Sequence, residues 1–225
     1  QYIYSESDAE VAVHLFVQSR VRLALAGSTV VLRQETDYPW EGHVRLTLES
    51  MDRPAMFTLR VRLPGWCRDP QVMLNGEPST NPVRNGYATV QREWRAGDVL
   101  EVLLPMPVER VRAHPAMAEN QGCVALRRGP IVYCVESFEN GPLDQLLLPR
   151  EAAVEARFEP GLFGGSKIIY GNAVAPMDDT WNGRLYRADP EAYREAPLRA
   201  IPYFCWANRT PGAMRVWIRE TEGKP

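Results

Sequence analysis

The sequence predicts an all-β protein made of two consecutive antiparallel β-sandwich domains with little helix. Three observations lead to this fold class. Apolar and polar residues alternate with a period of two, turn signals separate the alternating segments at roughly eight-to-twelve-residue spacing, and Pro105 and Pro107 interrupt the pattern near the middle of the chain. We therefore expect sandwich I over residues 1–108 and sandwich II over residues 109–225.

The predicted strands of sandwich I alternate clearly, as in Val44, Leu46 and Leu48, which are separated by Arg45 and Thr47. Asn-Gly pairs, which tolerate positive φ, predict type I′ hairpins at residues 75–76 and 85–86. The two prolines end the last strand because proline cannot donate a hydrogen bond to a ladder. In chain order, the predicted strands are residues 11–17, 21–25, 44–48, 57–63, 72–74, 87–90 and 99–104.

The pattern then restarts and predicts a second set of strands. These are residues 123–126, 131–135, 154–158, 167–170, 198–206 and 214–218. A polar insertion over residues 177–197 separates two of them and carries a predicted short helix at 190–195. Helical content should be small.

Composition excludes several classes of protein. The 225 residues are 45% apolar and 24% charged, which is ordinary for a globular protein, and 16 glycines with 19 prolines indicate many turns. The 26 basic and 28 acidic residues give a net charge of −2, so no overall field favours nucleic acid or an anionic membrane. No apolar run is long enough to span a bilayer. We expect neither nucleic acid nor membrane as a partner.

Residues that could carry chemistry are few. The three histidines are not spaced as an acid/base pair, there is no G-x-S-x-G, and the segment 164–167 lacks the frame of a phosphate-binding loop and predicts only a turn. The four cysteines, Cys67, Cys123, Cys134 and Cys205, form no C-x-x-C. The last three lie in apolar runs, which is typical of small buried side chains. We predict no catalytic, cofactor-binding or metal-binding residue in this chain.

Aromatic side chains leave two interpretations open. Exposed rings could stack on sugars, and the candidates for such contact are Tyr38, Trp40, Trp66 and Trp181. Tryptophan is more often largely buried with its N–H satisfied, so packing inside a sandwich is the alternative use of the same residues.

Several motifs together resemble glycoside hydrolase family 127, whose members include bacterial beta-L-arabinofuranosidases. In chain order they are Tyr2-Ile-Tyr-Ser, Val13-His-Leu-Phe, Glu35-Thr-Asp-Tyr-Pro-Trp-Glu-Gly, Leu63-Pro-Gly-Trp-Cys, Val72-x-Leu-Asn-Gly, Leu126-Arg-Arg-Gly-Pro-Ile-Val-Tyr-Cys and Ile201-Pro-Tyr-Phe-Cys-Trp-Ala-Asn-Arg. The resemblance covers nearly all of residues 1–218.

The resemblance implies that catalysis belongs elsewhere in a longer protein. The family's catalytic domain is an (α/α)6 barrel with a zinc-bound cysteine nucleophile and a glutamate acid/base, and nothing here matches those positions. The chain matches the two sandwiches that follow the barrel, with Gln1 to about Ser5 as the end of the barrel's last helix. The resemblance thus implies zinc in the missing domain, no cofactor in this chain and no activity of this chain alone.

We therefore expect a non-catalytic region that supports the upstream barrel, which is its first expected partner. A homo-oligomer and a plant-type oligosaccharide are further candidate partners, and a carbohydrate-binding module is the alternative function. The sequence starts at Gln1 and has no methionine before Met51, so we expect a piece of a longer protein. Its location stays open, with the cytoplasm favoured.

Overall fold

The computed structural model describes residues 2–80, 83–177, 185–186, 188 and 192–222. The chain divides into two compact units between Met106 and Pro107, called unit 1 and unit 2 below. Strands account for 55% of the residues and helices for 5%, which confirms the all-β class. Within the described ranges, no helix is long and apolar enough to cross a membrane.

Unit 1 consists of two sheets. Its described strands are β1 (Tyr4–Ser7), β2 (Glu10–Val13), β3 (Ser19–Leu25), β4 (Ser28–Thr36), β5 (His43–Met51), β6 (Ala55–Arg62), β7 (Gln71–Leu74), β8 (Glu77–Pro78), β9 (Val83–Arg84), β10 (Tyr87–Trp94) and β11 (Val99–Leu103). One sheet has the order β1-β2-β6-β10-β9 and the other β3-β4-β5-β11-β7-β8. Pairing is antiparallel except between β2 and β6, which run parallel. Tyr4 and Ser5 lie in β1, so the expected end of a helix at the start of the chain is wrong. The backbone of this segment pairs with β2 instead.

Side-chain alternation places the core of unit 1 between the two sheets. Leu46 and Leu48 on β5 are buried, while Thr47 between them is only half-buried. Trp94 is completely buried, stacks on Phe57 with ring centroids 5.7 Å apart, and donates its indole N–H to the Phe57 carbonyl oxygen at 3.0 Å. Unit 1 thus has an apolar core between its two sheets, and the indole N–H of the buried Trp94 has a hydrogen-bond acceptor.

The Asn-Gly pairs of unit 1 form the predicted hairpin turns. Asn75 and Gly76, between β7 and β8, have φ values of 51° and 85°, and Asn85 and Gly86, between β9 and β10, have 50° and 76°. Positive φ at both central positions is what a type I′ turn requires, and its twist matches that of the flanking strands. Both hairpin predictions are confirmed.

Unit 2 contains the remaining strands and short helical segments. The described strands are β12 (Val108–Val111), β13 (Cys123–Arg128), β14 (Ile131–Glu136), β15 (Leu147–Pro149), β16 (Val154–Glu159), β17 (Ser166–Pro176), β18 (Tyr193–Pro202), β19 (Met214–Arg215) and β20 (Trp217–Thr221). Helix α1 spans Ser137–Asn140, and 3₁₀ turns occupy Ala118–Asn120 and Tyr203–Cys205.

All strands of unit 2 belong to one hydrogen-bonded sheet. Its order is β12-β13-β20-β15-β17-β18-β14-β19, and β16 pairs with β17. A further pairing of β13 with β14 closes a ring of six strands: β13, β20, β15, β17, β18 and β14. Because the ring is closed, each of these six strands has a hydrogen-bonded neighbour on both sides and none of them is an edge strand.

Two local expectations in unit 2 are wrong. The helix expected at residues 190–195 does not form over the described residues Tyr193 to Glu195, because they pair with Val174 to Pro176 as the start of β18. The strand expected over residues 198–206 ends at Pro202, and the following three residues form a 3₁₀ turn. Because apolar residues follow one another in this segment, its sequence pattern does not indicate the turn.

Candidate functional site

The Glu35-Thr-Asp-Tyr-Pro-Trp-Glu-Gly motif forms a compact turn between β4 and β5. The Tyr38–Pro39 peptide bond is cis, and the Trp40 amide donates to the Asp37 carbonyl at 2.9 Å. Gly42 then lies so close to the end of β11 that an added Cβ would be 1.9 Å from the Leu104 carbonyl oxygen. Glycine is required at this position because the neighbouring atom belongs to the backbone and cannot rotate away.

Tyr38 and Trp66, two of the sugar-contact candidates, come together but face the core of unit 1. The Tyr38 ring meets Phe16 edge-on with centroids 5.3 Å apart, and both Tyr38 and Trp66 pack against the buried cluster. Burial raises the pKa of the Tyr38 hydroxyl, and its hydrogen bond with the Trp66 side chain acts in the opposite direction. These two rings serve packing.

For the other two candidates, Trp40 and Trp181, the structure describes no common surface. Trp40 is half-buried, and Trp181 lies outside the described residues. Sugar contact by Tyr38, Trp40, Trp66 or Trp181 stays a prediction.

Two cysteines of unit 2, Cys134 and Cys205, are unsuited to nucleophilic chemistry. Cys134 and Cys205 are buried in one small apolar cluster with Ile168 and Ile201. Burial, then the Glu136 carboxylate and the second thiol, raises the pKa of Cys134 to about 12, and burial also raises that of Cys205. Both groups are therefore protonated thiols at neutral pH, whereas a nucleophile or zinc ligand has to be a thiolate.

The described residues do not offer a zinc site either. Within residues 2–80, 83–177, 185–186, 188 and 192–222, no three His, Cys, Asp or Glu side chains group closely enough to hold a metal ion. Cys67 and Cys123, which are only half-buried, belong to different units. We assign no step of zinc chemistry to this part of the chain.

A network of ionic side chains connects Arg209, in the last of the motifs, to residues of β14, α1, β16 and β18. Glu136, at the end of β14, is 3% exposed and accepts a hydrogen bond from Arg209 Nη2 at 2.5 Å. Arg209 also contacts Glu139 at 2.7 Å, and Arg199 pairs with Glu139 and, at 2.7 Å, with Glu159. Two guanidinium groups thus serve three carboxylates, leaving one net negative charge. Residues far apart in sequence are held together here by charge-assisted hydrogen bonds.

Asn140 completes this network from α1. Its side-chain amide donates to the carbonyl oxygens of Glu136 at 2.9 Å and Arg199 at 3.0 Å and accepts from the Arg199 backbone amide at 2.8 Å. Burial, followed by repulsion from Arg209, lowers the pKa of the Arg199 guanidinium. The network ties β14, α1 and β18 together, so these side chains have a structural role.

Sequence reasoning missed an exposed aromatic surface directly after β18. Tyr203, Phe204 and Trp206 are 47%, 62% and 41% exposed, although their segment was assigned to a buried strand. The only local signal for the change is Pro202, which ends the strand.

Fold and site together define a class of protein region: two all-β units whose described side chains are organised for packing and ionic cross-linking. Residues 10–106 match the beta-L-arabinofuranosidase GH127 middle domain, and residues 108–219 match the glycoside hydrolase family 127 C-terminal domain. The chain belongs to glycoside hydrolase family 127 and comprises its middle and C-terminal domains.

Similar proteins are considerably longer than this chain. A non-reducing end beta-L-arabinofuranosidase from Bifidobacterium longum subsp. longum is 35% identical over 97% of this chain and 34% of its own length. The crystal structure of a GH127 beta-L-arabinofuranosidase from Geobacillus stearothermophilus T6 superposes with a TM-score of 0.92 at 46% identity, covering 98% of this chain and 35% of that one. A GH127 beta-arabinofuranosidase gives a TM-score of 0.85 at 31% identity over 98% and 36% of the two chains. The chain spans about a third of the length of these relatives.

Proposed function

We propose that this chain is a non-catalytic support for the catalytic part of a longer, bacterial, beta-L-arabinofuranosidase-like glycoside hydrolase. The observation that carries the proposal is an exposed apolar surface on unit 1 formed by Tyr2, Leu15 and Val17, which are 87%, 42% and 47% exposed. The upstream part of the longer protein is its proposed partner, and zinc is proposed to belong to that part.

The three side chains of this surface are brought together by backbone pairing. Tyr4 pairs with Val13 in the β1–β2 ladder, and the His14 amide continues the ladder by donating to the Ile3 carbonyl at 2.8 Å. Extended by two residues beyond Tyr4 and Val13, the same register places Tyr2 opposite Leu15. Leu15 and Val17 are both exposed, whereas Phe16 between them is buried.

A buried polar cluster fixes the segment beneath this surface. Gln34 is fully buried, and its amide nitrogen donates to the Leu15 carbonyl at 3.3 Å and the Tyr4 hydroxyl at 3.0 Å. Ser19 Oγ contacts the same hydroxyl at 2.8 Å and donates to the Val17 carbonyl at 2.7 Å. A surface that is ordered before association loses less conformational entropy when a partner covers it. Such an apolar, preorganised surface is suited to permanent packing against another domain.

Hydrogen exchange on the isolated chain and on the parent-length protein tests this function. We expect the amides of residues 14–18 to exchange about tenfold more slowly in the parent, because the catalytic part covers them there. In the parent, a Leu15→Glu, Val17→Glu double variant should lower both the protection and the turnover of an arabinofuranosyl chromogenic substrate.

The matched control is a Met56→Glu, Val83→Glu double variant, which places the same two charges on other exposed apolar residues of unit 1. It should leave protection and turnover unchanged, and the Leu15→Glu, Val17→Glu variant should not alter the stability of the isolated chain by more than about 0.5 kcal/mol. Equal exchange of residues 14–18 in both proteins would overturn the proposal.

A further inference from the structure

We propose that unit 2 carries a binding site for a neutral oligosaccharide, formed by the Tyr203 and Trp206 rings and an adjoining groove. This site lies on other residues than the sugar-contact candidates of the sequence, and it does not depend on whether unit 1 packs against a catalytic domain. The proposal rests on the orientation of the two rings, on the residues that anchor their turn, and on the charges that line the groove.

The two rings are close to parallel and both reach solvent. Their planes differ by 18°, their centroids are 6.5 Å apart, and they are 47% and 41% exposed. In this stacked pair both rings stay partly exposed, so aromatic ring surface reaches solvent and can match the face of a sugar ring where its C–H groups lie. Tyrosine and tryptophan also suit such a surface because they supply large, rigid contact areas at low entropic cost.

The turn that carries these rings is anchored from below. Cys205, between them, is 3% exposed and packs in the core, and the Trp206 amide donates to the Tyr203 carbonyl at 3.1 Å. Asn208 Nδ2 donates to the Cys205 carbonyl at 3.1 Å, and Arg209 is held by the ionic network. The rings are therefore preorganised and do not have to be ordered by the ligand.

Tyr203 also forms one wall of a groove with a volume of about 750 Å³. That volume lies in the range of small-molecule sites, which combine apolar walls with a few polar groups that fix orientation. Trp217 adds a second aromatic wall. The charged lining residues are Glu119, Asp144, Arg215 and Arg219. The groove thus continues the ring surface and supplies the hydrogen-bonding groups that the rings lack.

The charges of the groove favour a neutral ligand with many hydroxyl groups. Glu119 and Asp144 balance Arg215 and Arg219, so the lining has no net charge that would select an anion or a cation. Arg215 donates to the Leu143 carbonyl at 3.0 Å. In the part of the chain that the structure describes, no hydrogen bond or ion pair engages the side chains of Glu119, Asp144 or Arg219. Hydroxyl groups can donate to these carboxylates and accept from this guanidinium.

Titration of the chain with neutral arabinofuranosyl oligosaccharides, followed by tryptophan fluorescence and calorimetry, tests the site. We expect saturable binding with a dissociation constant on the order of 1 mM. Trp206→Ala and Tyr203→Ala should each weaken it about tenfold, and Trp206→Phe should retain most of it because a flat ring remains. Asp144→Ala should weaken it by a smaller factor. Phe158→Ala, which removes a 51% exposed ring outside the groove, is the matched control and should bind like the unaltered chain.

Circular dichroism and thermal melting establish that each variant is folded before its titration. Lack of saturable binding by the unaltered chain would overturn the proposal, as would a folded Trp206→Ala variant that binds equally well. A third outcome, in which the chain is a dimer that Trp206→Ala converts to a monomer, would also overturn it and assign the rings to a contact between two copies. Preference for an acidic oligosaccharide such as oligogalacturonate over the neutral ones would contradict the charge argument.

Discussion

Units 1 and 2 differ in how they hold their interiors together. In unit 1 the residues between the sheets are mainly apolar, and ion pairs such as Arg33–Glu35 lie at the surface. In unit 2 an ionic network reaches into the protein, where Glu136 is 3% exposed. Unit 1 is thus specified mainly by side-chain alternation, whereas unit 2 also needs exact charge partners. Truncation of a buried apolar residue in unit 1 should therefore destabilise unit 1, and removal of a buried charge partner in unit 2 should destabilise unit 2.

The largest effect should come from Trp94→Ala in unit 1. It leaves a cavity and removes the hydrogen bond to the Phe57 carbonyl, so we expect a loss of about 3–5 kcal/mol in the free energy of unfolding. Hydrogen exchange by mass spectrometry should show the loss in unit 1 while unit 2 keeps its protection. An equal loss in both units would mean that they unfold as one cooperative body.

Arg209→Ala makes the corresponding test in unit 2. It leaves the Glu136 carboxylate buried without its guanidinium partner, which should destabilise unit 2 by about 3 kcal/mol. The matched control is Arg157→Ala, whose pairing with Glu155 is exposed and should contribute less than about 0.5 kcal/mol. Urea denaturation of both variants measures the difference, and similar values for the two would refute the proposed importance of the buried network.

A pair of glycine variants tests the turn between β4 and β5. Gly42→Ala places a methyl group against the Leu104 carbonyl and should cost about 1–3 kcal/mol or displace the turn. Gly65→Ala, also in a motif of unit 1, finds no atom within 4 Å of the new Cβ and should change stability by no more than about 0.5 kcal/mol. Thermal melting of both variants is the measurement. A lower melting temperature for Gly42→Ala alone would show that the close approach of Gly42 to Leu104 requires glycine, and equal losses would show that both positions are intolerant of substitution.

The smallest predicted effect at neutral pH concerns Tyr133 in unit 2. Burial raises the pKa of its hydroxyl from 10.0 to about 12. Between these values the unfolded chain loses the proton while the folded chain keeps it, so stability present below pH 10 is lost as the pH rises toward 12. For one group the slope approaches about 1.4 kcal/mol per pH unit.

Tyr133→Phe should remove this contribution and flatten the alkaline loss of stability in unit 2. At pH 7 its effect should stay within about 0.5 kcal/mol, because the buried hydroxyl has no hydrogen-bond partner among the described atoms. Tyr203→Phe, at an exposed ring, is the control and should leave the pH profile as it is. An unchanged slope in Tyr133→Phe would show that other groups govern alkaline unfolding.

The same contrast explains what could be predicted from the sequence. The period of two and the Asn-Gly pairs are local signals, and they located two turns and most of the longer strands of unit 1. They did not locate β1 or the nine-residue β4, and the first predicted strand ends at Val13 instead of residue 17. The pairing of Glu136 with Arg209 joins residues 73 positions apart, and no local pattern shows it. Pairing with β17 made a strand of residues expected to be helical, and the apolar segment after Pro202 turned outward instead of continuing the sheet.

For the candidate site, the sequence pattern predicted sugar contact by aromatic residues but could not give the orientation of their rings. Tyr38 and Trp66 face a core, whereas Tyr203 and Trp206 face solvent. Which side of a chain a ring occupies depends on the elements packed around it. The family could be identified from the order of the motifs, because that order does not depend on tertiary contacts.

The central proposal is that this chain supports the catalytic part of a longer protein and does not hydrolyse the substrate by itself. The most direct measurement is the release of nitrophenol from 4-nitrophenyl beta-L-arabinofuranoside by the purified chain, with a full-length family 127 beta-L-arabinofuranosidase as positive control. The account predicts no release above that of buffer at any concentration of the chain. Release that is proportional to chain concentration and follows the chain through successive purification steps would contradict it.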